Sequence, residues 1–435
     1  RLMGAAALPL LAACAGGRGE PAPAARTVPP GTTISYLGSH NQAEGQLVGG
    51  QMQAFEQKAP GVKVEVSYLT ADYMTKLRTL LASGTPPDLF RTGGTPWAQL
   101  ANQGAMAEID SRIKRDRFDL SDLIDAAVAQ YTWRGKQLGL GSNVGYTLLY
   151  YNPEAFRQAG VPLPGDDWAT PWTWDQFNDA MRRVTTRQGS GEPDRFGFTA
   201  LDAYMRLLVT NGATLTDEAE TRTLYDTPEA IDTWQWIDDL LRGLNVAQNP
   251  LTYREQPSDR TFIQGKAAAW VGSTADGATR FVGQKDLTWD VAPTPRGPRL
   301  KSDRWIFGGG SAWWIAAGSP HPDAAWEFLK YMESPEVGQN LALGGFAPIR
   351  FSVLNSPAWL RSDQPPKSKR LLVDGLKKLL PFPKLTTWDA YSAAIDAEVQ
   401  SLWKGERRAR EVAERIRAAT DPILAEHQRN LKAGR

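Results

Sequence analysis

Strand and helix signals alternate along this 435-residue chain, and the alternation predicts an α/β protein of two lobes, with parallel-type sheets flanked by helices. Three observations carry the prediction. The first ordered segments run β-α-β-α-β, an order that returns successive strands parallel to one another. Short apolar runs rich in Val, Ile, Tyr and Trp, bounded by Gly, Pro, Asn or Ser, punctuate the rest. The length exceeds what one hydrophobic core usually serves, so two lobes are expected.

The elements follow in order. Thr32 to Leu37 reads as a strand, and Gln46 to Lys58 as a helix with Leu47, Gln51, Ala54 and Phe55 on one stripe. Val62 to Val66 alternates as a second strand, Asp72 to Ser83 is helical, and Asp88-Leu89-Phe90 is a short buried strand. In a parallel sheet, ligand chemistry gathers in loops beyond the carboxyl ends of the strands, here Gly38 to Asn41 and Arg91 to Trp97. Gly141 to Gly145 leads into the apolar run Tyr146 to Tyr151, and Asn152-Pro153-Glu154 starts a capped helix. Thr173 and Gln176 have capping-box spacing, and Pro228 to Leu244 is amphipathic. Ala267 to Gly272 reads as a buried strand ending in the turn Ser273-Thr274, and Trp289 to Pro293 as another strand. Gly308-Gly309-Gly310 reads as a loop before the strand Ala312 to Ala316; Pro322 to Ser334 and Glu406 to Lys432 are helical. No internal repeat is present.

Composition narrows the function. Lys plus Arg (49) balances Asp plus Glu (48), so no charge field points to nucleic acid. One cysteine and three scattered histidines (His40, His321, His427) argue against a zinc cage or a Cys/His nucleophile pair; no metal, cofactor or catalytic residue is expected. The 16 Trp and 12 Tyr are the unusual component, since many stand beside Gly, Asn, Asp or Thr. Trp174, Trp234, Trp236 and Trp326 lie within predicted helices and are assigned to packing.

Cys14 closes the run Leu11-Ala12-Ala13-Cys14, behind an apolar stretch far shorter than the ~20 residues a spanning helix needs. Small residues before a cysteine match the end of a lipoprotein signal peptide. The Gly-, Pro- and Ala-rich residues that follow cannot build a core to bury a thiol. Residues 1–13 are therefore read as a truncated signal peptide, Cys14 as the lipidation site, and 14–31 as a tether. The expected location is the outer side of the cell membrane, facing the periplasm or the extracellular space.

Several stretches, in order, resemble the extracellular solute-binding proteins of bacterial ABC importers, the sugar-binding family that includes maltose-binding protein. They are Pro87 to Phe90, Gly104 to Asp110, Tyr150 to Gly160, Trp172 to Phe177, Phe262 to Ala268 and Ala324 to Leu329. The resemblance implies the two-lobed periplasmic-binding-protein fold of type II, with about three crossovers at a hinge. It places 32–142 plus 308–347 in lobe 1 and 143–307 plus 348–435 in lobe 2. Crossings are expected near Ser142 to Gly145, Trp305 to Gly308 and Ala347 to Arg350. The implied partners are a carbohydrate held between the lobes and the transmembrane subunits of an ABC permease, with the receptor itself a monomer.

Aligned by these landmarks, the ligand contacts expected on lobe 1 are Ser39, His40, Glu44, Thr92, Gly94 and Thr95, although Ser39 and Glu44 equally suit helix capping. Trp97 is either a sugar platform or a packing residue. Asn143 stands at the first crossing with donors and an acceptor for hydroxyls, and Tyr204 falls where the family places an aromatic platform. Ser273 and Thr274 occupy another platform position, a departure from the family pattern; Trp270 is read as core. Trp305 and Phe307, beside Gly309, are the preferred aromatic contacts, and Phe346 with Arg350 marks the third crossing. Arg350 serves either a ligand anion or an interlobe salt bridge.

Two alternatives stay open. A glycerol-3-phosphate or related phosphodiester binder of the same family would rely on His40, Arg91 and Arg350. A secreted glycoside-active enzyme would need two carboxylates ~5–10 Å apart, and the acid pairs Asp166-Asp167 and Asp238-Asp239 lie in a loop and on a charged helical face.

Overall fold

The computed structural model describes residues 28–39, 42–69, 72–189, 191–361, 363 and 365–434. Cys14, the signal segment, most of the tether and His40 lie outside the described residues. The strands are β1 Thr32–Gly38, β2 Val62–Tyr68, β3 Leu89–Gly93, β4 Thr132–Trp133, β5 Lys136–Gln137, β6 Gly139–Gly141 and β7 Gly145–Tyr151. They continue with β8 Phe196–Thr199, β9 Ala267–Ser273, β10 Asp290–Ala292, β11 Ile306–Gly309, β12 Ser311–Ile315 and β13 Leu379–Pro381.

Two main sheets result, one per lobe. The first has the order β2-β1-β3-β12-β6, the second β13-β11-β7-β9-β8 with β10 also on β7, and β4 with β5 forms a separate hairpin. β1 pairs with β2 and β3 in parallel, as the β-α-β opening requires. The expectation of parallel-type sheets needs correcting beyond that point. β12 runs antiparallel to β3 and β6, and β7 antiparallel to β9, β10 and β11. The reason is the connection: a strand that arrives from the other lobe enters its sheet from the cleft end and must run against its neighbours.

Side-chain alternation puts each sheet between two apolar layers. Trp313 packs on Tyr36 (ring centroids 5.4 Å) toward Phe55 and Phe328. Its neighbour Trp314 points to the other face, onto Trp97 (5.5 Å) and Tyr131 (5.3 Å). In the second lobe Trp174 stacks on Trp236 at 4.4 Å, while Tyr150, Trp270, Phe281 and Trp289 fill the opposite layer. Helix starts are fixed locally: Asn152 Oδ1 accepts from the Glu154 and Ala155 amides, and Thr173 with Gln176 closes a capping box. The first helix, Gln42–Lys58, buries Val48, Gln51, Met52 and Phe55, a stripe turned from the predicted one. Its sequence is weakly amphipathic, so packing against Phe328 and Tyr331 chooses the face.

The topology locates the cleft. The carboxyl ends of β1, β2, β3 and β6 and the amino end of β12 share one edge of the first sheet. The amino end of β7 and the carboxyl ends of β8, β9, β11 and β13 share one edge of the second. Ser142-Asn143-Val144 joins β6 to β7 and Gly310 joins β11 to β12, so these two edges face each other across adjacent crossings. The segment expected to be a glycine loop is therefore mostly strand, with Gly308 and Gly309 in β11, and the second crossing falls at Gly310 rather than before it. The third also falls later than expected. Arg350 bridges to Leu123 of lobe 1, whereas Leu371 O accepts from Trp168 Nε1 of lobe 2 at 2.8 Å. The chain thus crosses between the helices Pro357–Leu360 and Lys369–Asp374.

Candidate functional site

On lobe 1 the strand ends enclose a cavity of about 510 Å³ lined by Ser39, Asp72, Tyr73, Met74, Thr75, Arg91, Thr92, Gly93, Pro96 and Ser311. Ser39 is exposed in it. Thr92 lines it but is buried, and among the described residues its hydroxyl has no hydrogen-bond partner. Asp72 adopts a left-handed conformation (φ 54°) with no capping hydrogen bond from its side chain. Such strain in a non-glycine residue is retained where neighbours over-determine it, and it concentrates at binding sites. Ala200 (φ 75°) at the end of β8 shows the same feature on the facing lobe, held there by amide donation to Tyr253 Oη at 2.8 Å.

Behind the cavity, Arg91 organises the hinge. Its guanidinium pairs with Glu44 at 2.9 Å, donates from Nε to Ser142 Oγ at 2.7 Å and lies over the Trp313 ring. Asn143 Oδ1 accepts from Ser311 N (2.8 Å), Ser142 N donates to Ser311 O (2.7 Å), and Gly94 N donates to Gly310 O (3.1 Å). Gly94 has φ +71°, which a glycine adopts without penalty. A Cβ at Gly310 would stand 2.0 Å from Asn143 O.

The expected site residues therefore separate into groups. Ser39, Thr92 and Gly94 stand at the cleft wall of lobe 1. Thr95 is buried beside it. Glu44, Asn143 and Phe346 meet at a void of only about 30 Å³, too small for a sugar, and serve the hinge. Ser273 caps its helix with Asp276, and Thr274 Oγ1 donates to Val144 O at 3.1 Å; both support the crossing from lobe 2. Gly309 lies at the lobe 2 edge, where a Cβ would meet Gln130 and Phe382.

The remainder are corrections. Trp305 is 2% exposed and packs edge-on to Trp168 at 5.4 Å. Phe307 is buried under Phe382, stacked at 4.5 Å. Tyr204 is buried against Trp234 and donates its hydroxyl to Asp396 at 2.6 Å. Trp97 stacks on Trp314 and so belongs to the core. Arg350 donates to Asp122 (3.2 Å) and to Glu333 O (2.5 Å) within lobe 1, not across the cleft. The reasons are local: Phe307 lies in β11 between β13 and β7, Trp305 stands just before that strand, and Trp97 and Tyr204 lie on the buried faces of the helices Trp97–Asn102 and Tyr204–Leu208.

Residues the sequence reading passed over include Asp72, Tyr73, Ser311, Asp202, Arg206, Phe382 and Trp388. Phe382 and Trp388 are half-buried aromatics following the carboxyl end of β13, with rings 6.1 Å apart at 83°. The usable signal for them was position after a strand end, and β13 is too short to be seen in the sequence. Asp389, next to Trp388, ion-pairs with Arg78 of lobe 1 at 2.6 Å, so the lobes touch across the rim.

Two α/β lobes joined through adjacent strand crossings and facing each other with polar strand ends make a hinged binding protein. The chain belongs to the bacterial extracellular solute-binding protein family, whose model matches residues 39–339. Among curated relatives, it is 25% identical over 256 residues to the arabinooligosaccharide-binding protein of Bacillus subtilis (strain 168), covering 58% of this chain and 57% of the relative's length. It is 25% identical over 329 residues to the maltotriose-binding protein of Pyrococcus abyssi (strain GE5 / Orsay), covering 73% and 67%. A diacetylchitobiose-binding protein of Streptomyces coelicolor matches at 24% over 276 residues, or 61% of either chain. The first and third of these relatives are thus matched over less than two thirds of their own length.

Among solved structures, an ABC substrate-binding protein of Listeria monocytogenes in complex with cycloalternan superposes with a TM-score of 0.80 at 22% identity, over 91% of this chain and 99% of that one. Maltose-bound MalE3 of T. maritima gives 0.75 at 21%, over 91% and 99%. These likenesses establish the fold. Among the described residues, no helix is long and apolar enough to cross a membrane, and no cluster of metal-ligating side chains occurs.

Proposed function

We propose that this protein is the sugar receptor of an ABC importer, binding a mono- or oligosaccharide between its lobes and delivering it to the membrane permease as a monomer without chemical turnover. The observation that carries the reading is the cleft: polar strand ends from both lobes face each other beside the hinge, and lobe 1 offers a cavity of about 510 Å³ with Ser39, Asp72 and Thr92 at its wall. Neutral hydroxyls, carboxylate and amide groups suit a ligand made of hydroxyls. The relatives named for arabinooligosaccharides, diacetylchitobiose and maltotriose support the same class.

Transport logic follows from differential affinity. A ligand touching both edges stabilises the closed form, which the permease reads. Cys14 would hold the receptor near that permease through its lipid, leaving residues 15–31 as tether. The phosphate alternative is weakened by the state of its cations, because Arg91 is held by Glu44 and Ser142, and Arg350 by Asp122. For glycoside hydrolysis, Asp167 caps its own loop by accepting from Ala169 N, and Asp238 is paired with Arg242.

Thermal-shift titration tests the reading with maltotriose, arabinotriose, diacetylchitobiose and glycerol 3-phosphate. A sugar at 100 Kd should add about 2.7 kcal/mol of apparent stability. Stabilisation by glycerol 3-phosphate alone, or release of monosaccharide from any of these glycosides, would reject it.

A further inference from the structure

The cleft edge of lobe 2 carries charged side chains from three elements. Asp202 and Arg206 lie on the segment leaving β8, Asp276 and Arg280 around the short helix Thr274–Asp276 leaving β9, and Asp259 on the helix Ser258–Ile263. Most are already engaged. Arg280 donates to Asp276 at 2.8 Å and ion-pairs with Asp259, and Asp276 accepts from Ser273 N at 2.6 Å.

Asp202 and Arg206 are different. Among the described residues, the Arg206 guanidinium makes no hydrogen bond or ion pair, although Asp202 and Asp276 both act on its charge. Among the described residues, the hydrogen bond acting on the Asp202 carboxylate comes from its own backbone amide. Four residues apart on a helical segment, the two stand on one side of it. Asp202 is exposed, yet burial is the largest cause of its raised pKa, followed by opposing effects from its own amide and Arg206; Arg206 is half-buried and its pKa is lowered by burial. A group that water reaches while protein crowds it stands in a concave wall. Parallel pairing of β8 with β9 puts that wall at the carboxyl ends, on the lobe 2 edge that borders the cleft.

We propose that Arg206 and Asp202 form the polar clamp with which lobe 2 reads two adjacent hydroxyls of an uncharged saccharide, an inference that rests on the sugar reading above. The chemistry is complementary: the guanidinium fork donates to two oxygens at once, and the carboxylate accepts two O–H groups. Neutral ligands are selected because Asp202, Asp259 and Asp276 outnumber Arg206 and Arg280 here, so a phosphate or uronate would meet net negative charge.

The test is calorimetric titration of the purified full chain with maltotriose, arabinotriose, diacetylchitobiose, glycerol 3-phosphate and digalacturonate, repeated on Arg206→Gln, Arg206→Lys and Asp202→Asn. For whichever neutral sugar binds, Arg206→Gln and Asp202→Asn should each weaken binding 10-fold or more while the unliganded melting temperature stays unchanged. Arg206→Lys, which keeps the charge and loses the fork, should fall between. Affinities within two-fold of the parent in both charge-removing variants would overturn the clamp and leave the sugar reading intact. Tighter binding of glycerol 3-phosphate or digalacturonate than of any neutral sugar would overturn the selectivity. Absence of binding by every sugar to the parent chain would overturn both, before any variant is made.

Discussion

Asn143 and Ser311 tie the two hinge crossings together: Asn143 Oδ1, between β6 and β7, accepts from the amide of Ser311, which opens β12, at 2.8 Å. Both strands leave one lobe for the other within a few residues of this bond, so it holds in register the two segments about which the lobes turn. Gly310 is the companion constraint, because the same Asn143 backbone leaves no room for a Cβ.

Removing either should loosen the hinge by a predictable amount. Asn143→Ala leaves the Ser311 amide without its partner and is expected to cost about 1–2 kcal/mol. Gly310→Ala should cost about 1–3 kcal/mol through overpacking. Denaturant midpoints read both, and an unchanged midpoint for Gly310→Ala would mean that the crossing relaxes freely.

Arg78 and Asp389 meet across the rim at 2.6 Å, with side chains 39% and 56% exposed. An ion pair that open to water contributes at most about 1 kcal/mol. Because opening separates its partners, breaking it should weaken ligand binding by no more than about five-fold. The effect should shrink in high salt. A double-mutant cycle on ligand affinity measures it; a coupling that persists in molar salt would argue against a solvent-screened contact.

Trp305 now carries the opposite prediction from a cleft platform. Buried against Trp168, it should cost about 3–5 kcal/mol of stability when replaced by alanine. The fraction that stays folded should bind ligand normally. Comparing active-site fraction with Kd separates the two effects.

Glu333 lies buried in lobe 1, one carboxyl oxygen without a partner, and desolvation raises its pKa to about 8 against the opposing pull of Arg350. A folded value above the ordinary 4.5 means that the unfolded chain ionises first. Its contribution is therefore fully present below about pH 4.5 and is lost as pH rises to about 8. Glu333→Gln should remove that slope and add a few kcal/mol near pH 8. Stability curves of parent and variant that run parallel from pH 5 to 8 would refute this.

Cys14→Ser should move the protein from the membrane to the soluble fraction while sugar affinity stays unchanged. Fractionation of cells expressing each form is the direct measure. Retention of the serine form at the membrane would remove lipid from the account.

Much of the architecture was legible because its causes are local. Asn152 and the Thr173–Gln176 pair carry their capping partners within three residues, and β2 shows its alternation within Val62 to Val66. The ordered landmarks from Pro87 to Leu329 likewise pointed to the family that the matched span confirms. The site was less legible because facing is a tertiary property. Trp305, Phe307 and Tyr204 stand near glycines or strand ends in the sequence, yet tertiary packing against Trp168, Phe382 and Trp234 turns them into apolar layers. Arg350 finds Asp122, 228 positions away, and the parallel pairing of β8 with β9 is what brings Arg206 near Asp276, 70 positions on. Sequence alone thus determined most of the longer strands and helices and which family they compose. Only the tertiary structure decided which side chains reach the cleft, since that depends on strand order and crossing position, and neither is encoded in any one segment.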